Sequence, residues 1–267
     1  MFDSLEDAVI QAQSGNREAL DHVVRQIQPK LYGLALRMLW HPEDAKDATQ
    51  EILLRVITHL GSFRGESAFF TWACRIAAHH LSHWRKSRLE AQELTFETFA
   101  RDLQEGLGSS AAPQDQAVLF QEIRVGCTLG MLLCLDRPHR LAYILGEILE
   151  MDHGEASTIL EIPGATYRKR LERARKQIVA FVQSHCGLAN PSNACRCSRR
   201  VGVALKLNRV NPQHLLFGEH ANAREFPRVL ATIRSLEETQ RAVALYRSHP
   251  EYAVPEFTTA VRNLLGE

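Results

Sequence analysis

Two groups of residues in this 267-residue chain are suited to chemistry or to recognition. The first is a thiol cluster, in which His185, Cys186, Cys195 and Cys197 fall within thirteen residues. Thiolate and imidazole are soft ligands, and four of them suit zinc or copper. Cys195 and Cys197 can bite one ion, and the turn Asn190-Pro191-Ser192-Asn193 would bring Cys186 back to it. Arg196, Arg199 and Arg200 would favour the thiolate form, which serves metal binding and redox reactivity alike. His214 and His220 are spare imidazoles for a fourth ligand. The spacing matches no standard zinc finger, so metal or redox sensing, a structural zinc and an unliganded basic turn all stay open. Cys74, Cys127 and Cys134 lie in apolar helical text and read as buried thiols. His79, His80 and His83 read as a solvated polar face, with no cysteine or carboxylate at ligand spacing beside them. No nucleophile–base pairing and no phosphate-binding loop is present, so an enzyme is not expected.

The second group is cationic. Between Thr166 and Lys176, the residues Tyr167, Leu171, Ala174 and then Ile178 repeat at four-three-four spacing and define a buried stripe. Arg168, Lys169, Glu172, Arg173 and Lys176 are left facing outward. A short helix precedes this one, with Asp152 as its N-cap and a stop near Glu161; Ile162-Pro163-Gly164-Ala165 makes the turn. An apolar stripe inside with cations outside is the layout of a recognition helix, aimed by its N-terminal end at base edges. A helical hairpin with a basic surface is the plainer alternative.

The elements that position these groups read as helical almost throughout. Residues 17–39 place Ala19, Leu20, Val23, Val24, Ile27, Leu31, Leu34, Ala35 and Leu39 on one face. Pro42, Glu43 and Asp44 open a further helix, with proline in the first turn and acids at the positive dipole end. Gly61 to Ser67 breaks the pattern, and Phe69 to Lys86 resumes it. Residues 91–117 contain Gly106, Gly108, Ser109, Ser110 and Pro113 and read as a flexible linker. Helix returns from about 117 to 183, and after the thiol cluster an amphipathic helix carries Phe226, Val229, Ile233, Leu236, Val243 and Tyr246. Ser248-His249-Pro250 stops it, and Pro255 lies near the start of a last short helix. No segment has the ~18–20 consecutive apolar residues that span a bilayer, so membrane insertion is not expected. The N-terminus lacks the basic-then-apolar layout of a signal peptide, and a cytoplasmic location is expected.

The formal net charge of +1 would argue against a polyanion-binding protein, but it is an average. Residues 1–51 hold five bases and nine acids, net −4, and residues 52–90 six and two, net +4. Residues 91–117 are net −4, 118–161 net −4, 162–183 net +5, and 184–267 net +4. Each of the two helical blocks runs from an acidic front to a basic back. Basic surfaces attract phosphates through counterion release, whereas acidic ones suit a basic protein partner.

The stretch from Met151 to Lys176 (MDHGEASTILEIPGATYRKRLERARK) resembles region four of the bacterial sigma-70 family, in particular its extracytoplasmic-function (ECF) group. Leu31 to Leu39 (LYGLALRML), Pro42 to Glu51 (PEDAKDATQE) and Phe63 to Ala77 (FRGESAFFTWACRIA) are similar to region two of the same family. The resemblance spans roughly 170 residues and implies an all-α protein of two small helical domains joined by a flexible linker, plus a mainly helical C-terminal extension. Region two would occupy 1–90, the linker 91–117, region four 118–183 and the cysteine-bearing extension 184–267.

It implies too that Asp44, Asp47, Gln50, Glu51 and Arg55 dock on the clamp helices of core RNA polymerase. Phe63, Arg64, Gly65, Glu66, Ser67, Arg75, His79, Arg85 and Lys86 would hold the melted −10 strand, with Phe70 and Trp72 placed in the core. Thr166, Arg168, Lys169, Arg170, Arg173 and Lys176 would read the double-stranded −35 element. An anti-sigma factor is a further partner the family implies. No cofactor is required for this role; zinc or copper belongs only to the cluster of His185, Cys186, Cys195 and Cys197. Three positions depart from the family pattern: Glu161 and Ala165 stand where a small residue or glycine is common in the turn, and His79 where asparagine is frequent. The expected function is transcription initiation at a stress or metal- or redox-responsive regulon. A helix-turn-helix regulator that never joins polymerase, and a metal or thiol sensor working through 184–267, are the alternatives.

Overall fold

The computed structural model describes residues 2–86, 88–91, 94–107, 117–217, 226–250, 252, 254, 255 and 257. Those residues form an all-α protein, with one isolated bridge between Cys186 and Cys195. Packing divides the chain into two units. One comprises Met1–Ser87, Met151–Arg168 and Tyr252–Glu267; the other comprises Arg88–Glu150 and Lys169–Glu251. Among the described residues no helix is long and apolar enough to cross a membrane.

In the first unit the helices start where short polar side chains can cap them. Ser4 accepts from Asp7 N at 3.0 Å to open α1 (Leu5–Gln13), and Asn16 accepts from Ala19 N at 3.1 Å to open α2 (Arg17–Leu39). Helix α2 keeps Pro29 inside it at the loss of one backbone bond, because its long apolar stripe is fully buried. Pro42 sits in the first turn of α3 (Pro42–Thr58), with Glu43 and Asp44 at the positive end of the dipole. Helix α4 (Phe69–His83) buries Phe69, Trp72, Ala73, Cys74, Ala77 and Leu81, and ends three residues before the expected Lys86. The same unit includes α9 (His153–Ile159), which packs on α4 with Ala156 and Ile159 buried and the Thr71 hydroxyl donating to the Glu155 carboxylate. Near the C-terminus, Tyr252 lies against the Arg37 guanidinium at 5.2 Å, and Phe257 is buried beside Tyr32. The short helix expected after Pro255 falls almost wholly outside the described residues.

The second unit is organised by buried charge. After the short α5 (Arg88–Ala91), the segment expected as linker carries α6 (Phe96–Gln104), closed by a reciprocal Thr95–Thr98 capping box. Phe96 and Phe99 pack on Phe181 at 5.2 and 5.6 Å, so this stretch contributes to a core; residues 108–116 lie outside the described residues. Helix α7 (Ala117–Leu133) leads to α8 (Arg137–Tyr143), which continues as a π-turn over Ile144–Ile148. The Glu90 carboxylate holds Arg137 and Arg140, each at 2.8 Å, and its side chain is only 6% exposed. Arg140 also donates to the carbonyls of Leu132 and Leu135 at 2.9 Å, which supplies partners for the open end of α7.

The C-terminal extension is built into this unit. Helix α10 (Gly164–His185) is followed by α11 (Cys197–Lys206), α12 (Phe226–Ser235) and α13 (Glu238–Arg247). Val201, Ala204 and Val210 share a core with Val118 and Leu119 of α7. Arg200 and Arg209 converge on Asp102 at 3.1 and 2.7 Å. The Glu122 carboxylate accepts from Leu216 N and Phe217 N, both at 2.8 Å. Arg124 donates to the Ser248 hydroxyl at 2.8 Å and to its carbonyl at 3.0 Å.

Burial alone would push the Glu90 carboxyl up, but hydrogen bonds and charge from Arg137 and Arg140 hold it below the ordinary carboxylate range. A carboxyl depressed in the folded state contributes stability that is present above its unfolded pKa of about 4.3 and is lost as pH falls through the folded value. Glu90→Gln is expected to cost about 3–5 kcal/mol at neutral pH, because it strands two buried guanidinium groups. Urea unfolding should show this loss at pH 7 and a shallower decline below pH 5 than the parent. Equal acid slopes in the two proteins would remove Glu90 from this role.

Candidate functional site

The acidic α3 and the histidine-bearing end of α4 line one cleft of about 600 Å³, formed by Asp47, Gln50, Glu51, Leu54, Arg55, His79, His80, His83, Trp84 and Arg85. Residues expected to contact polymerase and residues expected to contact the −10 strand therefore meet on one surface. Arg85 reaches Asp44 at 3.4 Å and Asp47 at 3.7 Å, an exposed arrangement that contributes little to stability and leaves the charges available to a partner. The expected solvated histidine face holds for His79 and His83 and is corrected at His80. His79 and His83 are exposed and stack on each other, whereas His80 is buried against Trp84 with Nε2 3.5 Å from the Glu51 carboxylate. Burial, helped by the charge on Arg55 and opposed by Glu51, lowers the His80 pKa, so its ring is neutral at pH 7.

Before α4, the loop from Phe63 to Ser67 is held at its base. Phe63 meets Phe69 edge-on at 5.2 Å and Trp72 at 5.5 Å, an aromatic cluster that leaves Phe63 half-buried. The Gln13 side-chain amide donates to the carbonyls of Leu60 and Phe63 at 2.9 and 3.0 Å, an anchor from α1 with no signal in the local sequence. Gly65 takes φ +75°, a left-handed turn that leaves Arg64, Gly65, Glu66 and Ser67 exposed at the tip. Trp72 is core, as expected; Phe70 is half-buried, with the Lys30 ammonium 4.7 Å above its ring. Arg75 is half-buried on α4, and Arg85 and Lys86 are exposed past its end.

The helix-turn-helix forms as its residues require. Asp152 accepts from Gly154 N and Glu155 N at 2.8 and 2.9 Å and starts α9. At the other end Ile162 N bonds to Ser157 O and Glu161 N to Thr158 O, a Schellman closure with Glu161 at φ +53°. A left-handed residue is needed at that point, which explains why a glycine or small residue is usual there. Helix α10 starts at Gly164, two residues earlier than expected. Tyr167, Leu171, Ala174 and Ile178 are buried, and Arg168, Lys169, Arg173 and Lys176 are exposed. Thr166 and Arg170 are half-buried, and Arg170 lies near enough to Asp136 to lower its pKa, so these two are turned partly away from the basic face. Arg175 is held to Glu147 at 2.8 Å and fixes the rotation of the helix.

Of the four expected metal ligands, Cys186 and Cys195 are brought together by their backbone bridge, and Cys197 opens α11. The His185 ring packs on Phe181 at 4.8 Å instead of joining them. His220 lies outside the described residues. All six cysteines are free, and among the described residues no group of three or more His, Cys, Asp or Glu is arranged to hold a metal ion as it stands.

Comparison with known proteins bears on the surfaces above. The sigma-70 region 2 family model matches residues 23–90, which contain α3, the loop and α4. The RNA polymerase sigma-H factor of Pseudomonas aeruginosa is 28% identical over 186 residues, spanning 66% of this chain and 92% of that protein. The ECF RNA polymerase sigma-E factor of Escherichia coli is 28% identical over 191 residues, spanning 68% of this chain and 97% of its own. Residues 23–90 thus match sigma-70 region 2, and about two thirds of the chain is similar to RNA polymerase sigma factors, an ECF sigma-E factor among them. Among solved structures, that of CnrH in complex with the cytosolic domain of CnrY is similar at 24% identity and a TM-score of 0.47, over 66% of this chain and 95% of that one. About a third of the chain thus lies beyond its alignments with these relatives.

Glu161 retains a side chain where the turn between α9 and α10 favours none. A non-glycine residue in the left-handed region costs roughly 1–2 kcal/mol. Glu161→Gly is therefore expected to raise stability by about 1 kcal/mol, while Glu161→Ala gives no gain. Thermal unfolding of the three proteins measures this; equal midpoints for the alanine and glycine variants would show that φ is relaxed at this position.

Proposed function

We propose that this chain is a sigma factor that docks on core RNA polymerase through the acidic face of α3, holds the melted −10 strand with the loop from Arg64 to Ser67 and the end of α4, and reads the −35 element with α10. The observation that carries this reading is the sidedness of α10. Arg168, Lys169, Arg173 and Lys176 stand exposed, opposite a stripe formed by Tyr167, Leu171, Ala174 and Ile178. Exposed carboxylates on α3, among them Asp47 and Glu51, have the wrong sign for DNA and the right one for a basic protein surface. A helix-turn-helix regulator working without polymerase would have no use for that acidic helix or for the region-2 match over residues 23–90. A cytoplasmic location, an anti-sigma partner and a stress or metal- or redox-responsive set of promoters belong to the same proposal. The thiols of the extension are what favour the last of these.

Run-off transcription with purified core polymerase tests the reading. Arg168→Ala with Arg173→Ala is expected to lower promoter-specific transcript about ten-fold or more, at roughly 1–3 kcal/mol for each base contact removed. Where one of the two meets phosphate instead, the salt dependence of holoenzyme binding should flatten by about one charge. Asp47→Arg is expected to weaken core binding while leaving the folded protein intact. Unchanged transcription in both variants would refute the assignment.

A further inference from the structure

The thiols of the extension come together with one that the periodicity of α7 had placed in the apolar core. Cys127 lies one turn beyond Ile123 of α7, which packs on the Val201–Ala204 core; Cys197 lies one turn before Val201 of α11. The two helices pack on each other, and Cys127 and Cys197 lie near enough to interact. Cys186 and Cys195 are brought together by their bridge, with Gly187 N donating to Cys195 O at 3.1 Å. The four thiols are close enough to act on one another.

Two local features are those of a built thiolate site. The backbone N–H groups of Leu188 and Ala189 both donate to the Cys186 sulfur, a knuckle of the kind that orients a metal-bound thiolate. A Cβ on Gly187 would fall 2.2 Å from the Cys195 carbonyl, so only glycine lets the two cysteine segments approach this closely. Positive charge is arranged around the group as well: Arg196 acts on Cys186, Arg200 on Cys195 and Cys127, and Arg124 on Cys197. Four thiolates around a divalent ion leave two negative charges, which these guanidinium groups offset.

We propose that Cys127, Cys186, Cys195 and Cys197 form a four-thiolate zinc site that fastens the C-terminal extension to α7. The thiols as they stand are not in ligating positions, so binding requires them to turn onto the ion, with site formation and metal binding coupled. Binding releases the four thiol protons to solvent, with no change in oxidation state. All-sulfur, four-coordinate ligation is the pattern of a closed structural zinc, which holds chain segments together and leaves no position for substrate. His185, committed to Phe181, takes no part. The site does not depend on the promoter reading and stands or falls separately from it.

The test uses the full chain purified from zinc-containing medium. Elemental analysis should find one zinc per chain, and cobalt substitution should give the intense absorption of a tetrahedral four-thiolate centre. Cys127→Ser should lower zinc affinity by more than the roughly 10–100-fold that an outer-shell change costs, and should weaken the cobalt–thiolate bands. His185→Ala and Cys134→Ser should leave both unchanged. Circular dichroism of Cys127→Ser confirms that the variant is folded, and Cys195→Ser provides a second ligand variant if it is not. Absence of zinc, copper in its place, a disulfide among these cysteines, or full zinc retention in Cys127→Ser would each overturn the proposal.

Discussion

A buried guanidinium organises the second unit. Helix α7 ends inside protein, where its last carbonyls have no water to bond, and Arg140 supplies donors to Leu132 and Leu135. Bringing that charge inside is possible only because Glu90 meets it, and Glu90 in turn holds Arg137. Three helices, α5, α7 and α8, are tied by one carboxylate. The consequence reaches the recognition helix. The π-turn that continues α8 carries Glu147, and Glu147 holds Arg175 of α10, which fixes the rotation at which Lys169, Arg173 and Lys176 face outward. Loss of the Glu90 cluster would loosen the frame against which α10 is set.

The distribution of charge suits the proposed docking on two partners of opposite sign. A net charge of +1 conceals segments of −4 and +4 in residues 1–90 and of −4 and +5 in residues 118–183. In the first unit both signs line a single cleft, where Asp47 and Glu51 of α3 stand beside His79 and Arg85. With its pKa lowered by burial, His80 adds no charge at pH 7 to a cleft whose cationic residues include Arg55 and Arg85. A surface of mixed sign has weak affinity for free DNA, because counterion release from its basic half is opposed by repulsion from its acidic half. Once a basic protein covers the carboxylates, that opposition is removed and the arginines are free to act on phosphate.

Much of this was legible in the sequence, for identifiable reasons. Helical periodicity located α2, α4 and α10 because each buries one continuous stripe, and Asp152 and Pro42 marked helix starts because capping and proline chemistry are local. What escaped depends on partners distant in sequence. Residues 91–117 read as linker from composition, but the Thr95–Thr98 box and the packing of Phe96 and Phe99 on Phe181 make part of them a helix. His80 read as solvated, and only the packing of α4 on α3 shows it against Trp84 and Glu51. Cys127 read correctly as part of an apolar face; its neighbours come from residues 186–197 and leave no mark on the periodicity of α7. The positive φ of Glu161 was signalled only as a departure from a familiar pattern, and the backbone gives the reason.

The extension's integration bears on how its role can be established. Truncation after residue 183 would take Leu216 N and Phe217 N from Glu122, Ser248 from Arg124, and Arg200 and Arg209 from Asp102. Each buried polar group deprived of a partner costs about 1–3 kcal/mol, and the apolar seam of Val118, Leu119, Val201 and Ala204 would be opened as well. Such a loss is a large share of the 5–15 kcal/mol that holds a domain folded. A truncated protein that failed to transcribe would therefore report a damaged second unit as readily as a missing regulator. The informative perturbation is one that alters the extension while leaving those contacts in place. Single substitutions at Cys186 or Cys195 remove none of the residues that make those contacts, and both thiols lie outside the apolar seam.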